Sequence, residues 1–148
     1  DKQIGIYIFI GGIFGVICQP FVGALSDSFN KRLIVFALLL AHVSWLTLLK
    51  FSNSNEVLII IALMISGFAS TSLYTVTLAY LGERIKVSDI AFATSLFIII
   101  YEIGEYIGPI IVGFNMNFFG NEGFTNTLLI FAFFSIIFGV IRTLFYKK

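Results

Sequence analysis

The 148-residue chain is 59% hydrophobic and 11% charged, with a mean hydropathy of +1.03 and a net charge of +1. Soluble globular domains are about 45–50% apolar and about 25% charged, so composition excludes a soluble enzyme or nucleic-acid-binding domain, and so small a net charge offers no basic field to a polyanion. The single cysteine, Cys18, excludes a disulfide framework or a cysteine-ligated zinc site, and the single histidine, His42, argues against histidine metal chemistry and a Ser-His-Asp triad. What remains is an integral membrane protein whose first partner is the lipid bilayer. No phosphate loop, nucleophile elbow or metal-ligand spacing occurs, so neither a cofactor nor a catalytic set is expected.

A helix needs about 20 mostly apolar residues to cross the hydrocarbon core. Five segments reach or approach that length: 4–25, 33–49, 57–81, 90–114 and 124–146. They are too long for barrel strands and lack the alternation of a barrel wall. Helices are then the remaining way to satisfy every backbone polar group within lipid. The expected fold is all-α, a single polytopic bundle of five spans joined by short polar connections. There is no n-region before Ile4, so the first span is not a signal peptide. The opening on Asp1-Lys2 suggests a fragment or processed segment.

The first span contains Gly11, Gly12 and Gly15, which permit tight packing, the small residue Cys18, and Gln19, a candidate cavity residue. It runs into Gly23-Ala24-Leu25-Ser26-Asp27-Ser28-Phe29-Asn30-Lys31-Arg32. Asp27 lies at the C-terminal end of its own helix, where an acid opposes the macrodipole; it is better placed against the N-terminus of another helix. Asn30 suits the left-handed conformation of a tight turn. Lys31 and Arg32 suit an anionic leaflet. The bland alternative is an ordinary charged turn.

The second span carries His42, read as a structural residue. The third is rich in hydroxyls: Ser66, Ser70, Tyr74 and Thr77 recur at spacings of three and four on one stripe. Such a stripe either lines a hydrated path or joins helices by hydrogen bonds; Ser70 and Tyr74 are its candidate cavity residues. Between spans three and four, Ser88 with Asp89 reads as an N-cap and acidic first turn.

The fourth span holds Glu102 and Glu105. Glu102 lies twelve residues after Ile90, roughly 18 Å along the axis and near mid-bilayer; Glu105 is one turn further on the same side. A charged acid at that depth is costly unless it is protonated, paired or facing water. Both acids are candidate proton-handling residues, the alternative being a protonated packing donor. Gly104 and Gly108 form a small-xxx-small pair for helix packing, continued by Gly113, and Pro109 frees a carbonyl in the turn before it.

Loops on alternate sides divide the basic residues seven to two. Lys31, Arg32, Arg84, Lys86, Arg142, Lys147 and Lys148 fall on one side, Lys2 and Lys50 on the other. The positive-inside tendency places the seven in the cytoplasm, with the N-terminus outside and the C-terminus inside.

The motif Gly23-x-Leu25-Ser26-Asp27 followed by Lys31-Arg32 resembles the loop signature of the major facilitator superfamily, Gly-x-Leu-(Ala/Ser)-Asp-Arg-x-Gly-Arg-(Arg/Lys). Ser28 stands where that pattern has a basic residue, and Asn30 where it has glycine. Gln19-Pro20 resembles the second-half copy of the motif in a bacterial branch often labelled YcaD-like, and Gly104-x-x-x-Gly108-Pro109-x-x-x-Gly113 resembles the glycine-rich eleventh helix of that branch. The resemblance implies helices eight to twelve, the C-terminal half of a transporter in a bacterial inner membrane. Its partners would then be the missing N-terminal half and a small solute moved by alternating access. The third span would be helix ten, facing the cavity. Glu102 and Glu105 are not supplied by the family pattern. A non-transporting remnant of a truncated or split gene is the competing reading.

Overall fold

The computed structural model describes residues 2–53 and 55–145, with side chains for 3–53 and 55–141. Those residues form α1 (Lys2–Ser28), α2 (Lys31–Lys50), α3 (Glu56–Gly82), a 3₁₀ turn (Val87–Asp89), α4 (Ile90–Phe119) and α5 (Asn121–Phe145), with no strand among them. All five helices are long and apolar enough to cross a membrane. Of the residues used above for orientation, the side chains of Lys2 and Arg142 and the whole of Lys147 and Lys148 lie outside the described residues.

The helix α3 is the hub. It packs α1 on one side and α2 on another; α2 packs α5, α5 packs α4, and α4 reaches back to α3. Two apolar clusters occupy these seams. Val22, Ile34, Leu38 and Val76 join α1, α2 and α3, while Trp45, Leu46 and Ala62 join α2 to α3 and receive Leu128 and Leu129 of α5.

Glycine decides how closely α1 and α3 approach. A Cβ added at Gly11 would lie 2.5 Å from the Leu63 carbonyl oxygen, and one at Gly15 would lie 2.5 Å from that of Gly67. A Cβ at Gly67 would in turn overlap the Gly11 carbonyl. The two backbones touch directly, as small residues allow where no hydrophobic effect drives helices together. Gly11 and Gly15 therefore pack as their sequence suggested; Gly12 faces open space.

The connections differ from expectation at three places. Residues 115–123 read as a polar loop, yet α4 continues to Phe119 and α5 begins at Asn121. Asn115 stays helical because its side-chain amide donates to the Ile111 carbonyl, and Gly120 makes the whole turn at φ 60°, ψ −146°, a conformation that favours glycine. Asn30 is extended (φ −63°, ψ 111°), not left-handed; its Oδ1 accepts from the Arg32 N–H and caps α2. The left-handed asparagine is Asn53, at φ 45°. Ser88 does not cap α4, because a 3₁₀ turn intervenes and its hydroxyl donates to Asp89 Oδ1. A second side-chain cap forms at Asn55, whose Oδ1 accepts from the N–H groups of Val57 and Leu58 at the start of α3.

Candidate functional site

Two constellations lie on this scaffold, one at mid-depth and one at the end of the bundle where α1 finishes. The mid-depth set is built on α4. That helix presents three faces. Phe97, Tyr101 and Val112 lie toward α3 and α5, and of these Val112 is buried. Leu96, Ile100, Ile103, Ile107, Ile110 and Phe114 form a second face, exposed and wholly apolar, suited to lipid. Ser95, Glu102, Tyr106, Pro109 and Gly113 recur at helical spacings on a third face, which is also exposed. Glu102 thus points away from the lipid-compatible side.

Glu105 sits between the packed face and the Glu102 face, within hydrogen-bonding reach of the Tyr101 hydroxyl. Tyr101 meets Tyr74 of α3 edge-on, with ring centroids 5.0 Å apart, and Phe97 lies 5.6 Å from Tyr74. These three rings are the bridge between α3 and α4, and they connect the hydroxyl stripe to the acids. Ser70, one turn before Tyr74, faces α2 instead: its hydroxyl is 3.4 Å from His42 Nε2, while His42 Nδ1 is 3.2 Å from the Leu38 carbonyl. His42 therefore has a partner at both nitrogens, in keeping with a structural role. Gln19 is half-buried one turn beyond Gly15, on the side of α1 that meets α3. Among the described residues α1 makes no contact with α4, so Gln19 is not brought to the acids.

No described atom lies within 4 Å of a Cβ built at Gly104, Gly108 or Gly113. Pro109 is inside α4 and leaves the Glu105 carbonyl without its usual N–H partner. A cleft of about 400 Å³ between α4 and α5, lined by Ile111, Asn115, Asn126 and Phe131 among others, contains neither acid.

The second constellation surrounds the loop motif. Asp27 and Ser28 still belong to α1, so the turn itself is only Phe29-Asn30. Lys31 is folded inward with 9% of its side chain exposed. Its ammonium donates to the Ser26 carbonyl at 2.9 Å and to Glu83 Oε1 at 2.7 Å, with Asp27 at 3.7 Å. The buried cation is satisfied by one carbonyl and two carboxylates, which ties the α1–α2 turn to the end of α3. Arg32 Nε donates to the Tyr80 hydroxyl at 2.9 Å, and the Arg84 guanidinium lies 5.0 Å from the centre of the Tyr80 ring. Gly23 is half-buried, with open space at its Cβ position. Asp27 is exposed, with 82% of its side chain accessible, apart from its 3.7 Å approach to Lys31. Sequence reasoning missed Glu83 and counted Tyr80 only among the hydroxyls of the third span; the partners of both lie some fifty positions away in the chain.

A family model for the Major Facilitator Superfamily matches residues 1–148. The chain belongs to that superfamily. It is also similar to the inner membrane transport protein YnfM of Escherichia coli (strain K12), 34% identical over 100 residues. That alignment covers 67% of this chain and 24% of YnfM, so the chain matches about a quarter of the length of that relative. No solved structure matches it. Membership points to an integral membrane protein concerned with solute transport rather than catalysis.

Proposed function

We propose that the chain forms the C-terminal half of a secondary active transporter, helices eight to twelve, that moves a small solute by alternating access with proton coupling at Glu102 and Glu105. The observation that carries this reading is the third face of α4. An intramembrane acid on a helix that already has a purely apolar face for lipid is best accommodated against a hydrated cavity. The cavity of such folds lies between two bundles near the midplane. Gly104, Gly108 and Gly113, open in this structure, then receive the N-terminal half or allow α4 to bend around Pro109. Tyr74 and Tyr101 hold α4 against α3 beside the acids. The test is solute accumulation in proteoliposomes of the intact transporter under an imposed pH gradient; no dependence on the gradient would leave the non-transporting reading in its place.

In this proposal the N-terminus is outside and the C-terminus cytoplasmic, by the distribution of Lys and Arg. A cysteine placed at Ser54 in a Cys18→Ser background should react with an impermeant maleimide added outside. Reaction only from the cytoplasmic side would reverse the topology.

The loop motif acts as a conformational latch. Asp27 is exposed beyond the Lys31 network and free to meet a helix N-terminus of the other half when the cytoplasmic side is closed, where a carboxylate is favoured by about 0.3–1 kcal/mol or more. Asp27→Asn should leave folding intact and shift the population toward the inward-open state several-fold, read by accessibility of single cysteines on each side. Unchanged accessibility on both sides would count against the latch.

A further inference from the structure

At the end of the bundle that carries the loop motif, two arginines from different helices converge on one tyrosine. Tyr80 of α3 accepts a hydrogen bond from Arg32 Nε through its hydroxyl and supports the Arg84 guanidinium on its ring. Neither partner carries charge, so neither arginine is neutralised. The carboxylate nearest to them in the chain, Glu83, bonds the Lys31 ammonium at 2.7 Å, and Asp27 lies 3.7 Å from the same group while staying largely exposed. Asp89, on the neighbouring 3₁₀ turn, accepts from Ser88. Among the described residues Arg32, Arg84 and Lys86 form no ion pair, although two carboxylates stand close by.

The chemistry of that arrangement is specific. A guanidinium has five N–H donors. Arg32 uses one of them on Tyr80, and the Arg84 guanidinium, whose carbon lies 5.0 Å from the centre of the same ring, donates to no protein group among the described residues. Both guanidiniums contact the same tyrosine, which limits how far apart they range before any ligand arrives. Planar forks of this kind match the oxygens of a phosphate better than a single ammonium does. The depth is right as well: Arg32 is the second residue of α2 and Arg84 lies two residues beyond the end of α3, at the edge of the apolar spans where lipid headgroups lie.

We propose that Arg32 and Arg84, held by Tyr80, form a binding site for a phosphate group, filled in the membrane by the headgroup of an anionic phospholipid. Bound there, the phosphate bridges α2 and the end of α3, adding a tie beside the Lys31–Glu83 pair. The site does not depend on proton coupling at Glu102 or on any particular solute.

The test uses the purified chain in uncharged detergent micelles, with native mass spectrometry counting retained molecules of phosphatidylglycerol, of phosphatidylcholine, or of inorganic phosphate. The expected result is retention of phosphatidylglycerol over phosphatidylcholine by at least about tenfold, with Arg32→Gln and Arg84→Gln each removing most of that preference. Arg84→Lys should restore part of it, because charge returns without the fork. Tyr80→Phe is the second variant: it keeps the ring under Arg84, frees Arg32, and should weaken retention less than either glutamine. Lys50→Gln, at the opposite end of the bundle, is the control and should leave retention unchanged. Inorganic phosphate competing at equal concentration would assign the site to the free ion rather than the lipid, and would still support a phosphate site. Circular dichroism in the same micelles identifies any variant that fails to fold. Equal retention of the two lipids by the native chain, or undiminished preference in a folded Arg32→Gln or Arg84→Gln variant, would overturn the proposal.

Discussion

Glu102→Gln is expected to abolish proton-driven accumulation of solute by the intact transporter while preserving exchange or downhill flow. A charged acid within the spans is costly unless it is protonated, paired or facing water, so in this proposal Glu102 carries a proton while the cavity moves its access from one side of the membrane to the other. Glutamine is close in size and hydrogen-bonding capacity to the protonated acid, so the variant is held in the loaded form and the coupling is lost without loss of the helix. Glu105→Gln should act more mildly, because Glu105 lies on the edge of the packed face beside Tyr101; gradient-driven uptake should be reduced rather than lost. Uptake into vesicles with an imposed pH gradient checks both. If Glu102→Gln still accumulated solute against its gradient, the acid would be a protonated structural donor.

The second large effect is expected at the α1–α3 crossing. Gly67→Val should cost at least about 3 kcal/mol, the upper range for overpacking a close contact. A Cβ at Gly67 meets the backbone of Gly11 and Gly12, not the end of a flexible side chain. The strain can be relieved only by separating two helices, which opens the Val22–Val76 cluster beside them. Thermal unfolding in detergent, followed by size-exclusion chromatography, should show a large loss of the monodisperse peak for Gly67→Val. Gly12→Val is the matched control, since open space surrounds its Cβ position, and it should unfold close to the native temperature. Equal midpoints for the two variants would show that the helices accommodate the added bulk.

The five spans were legible because their composition leaves no other solution in lipid, and the Gly11 and Gly15 contacts were legible from small residues at a spacing of four. The α4–α5 turn was not. Asn115, Asn117, Gly120 and Asn121 have the composition of a polar loop, but Asn115 turns its amide back onto its own helix, and one glycine at φ 60° replaces an entire connection. Gly104-x-x-x-Gly108 drew attention as a packing motif, while glycines that the described packing uses between helices include Gly67 of α3, isolated in its own sequence neighbourhood, and Gly123 of α5. At the loop motif, the local turn could be read, but the Lys31–Glu83 and Arg32–Tyr80 pairs could not. No local periodicity links residues about fifty positions apart; only the packing of α3 between α1 and α2 brings them together.

The single-residue joint at Gly120 has a mechanical consequence. With no slack between α4 and α5, the two helices pivot at a fixed point, and the N-terminal turn of α5 is anchored to α2 by the Lys50–Asn126 hydrogen bond at 2.8 Å. The 30 residues of α4 form a lever about 45 Å long. A swing of about ten degrees about that pivot carries its far end roughly 8 Å and the carboxylate of Glu102 about 5 Å, while the anchored end hardly moves. The Tyr74–Phe97–Tyr101 rings join the arm to α3 near its middle, so displacement there is smaller than at the end beside the charged turn.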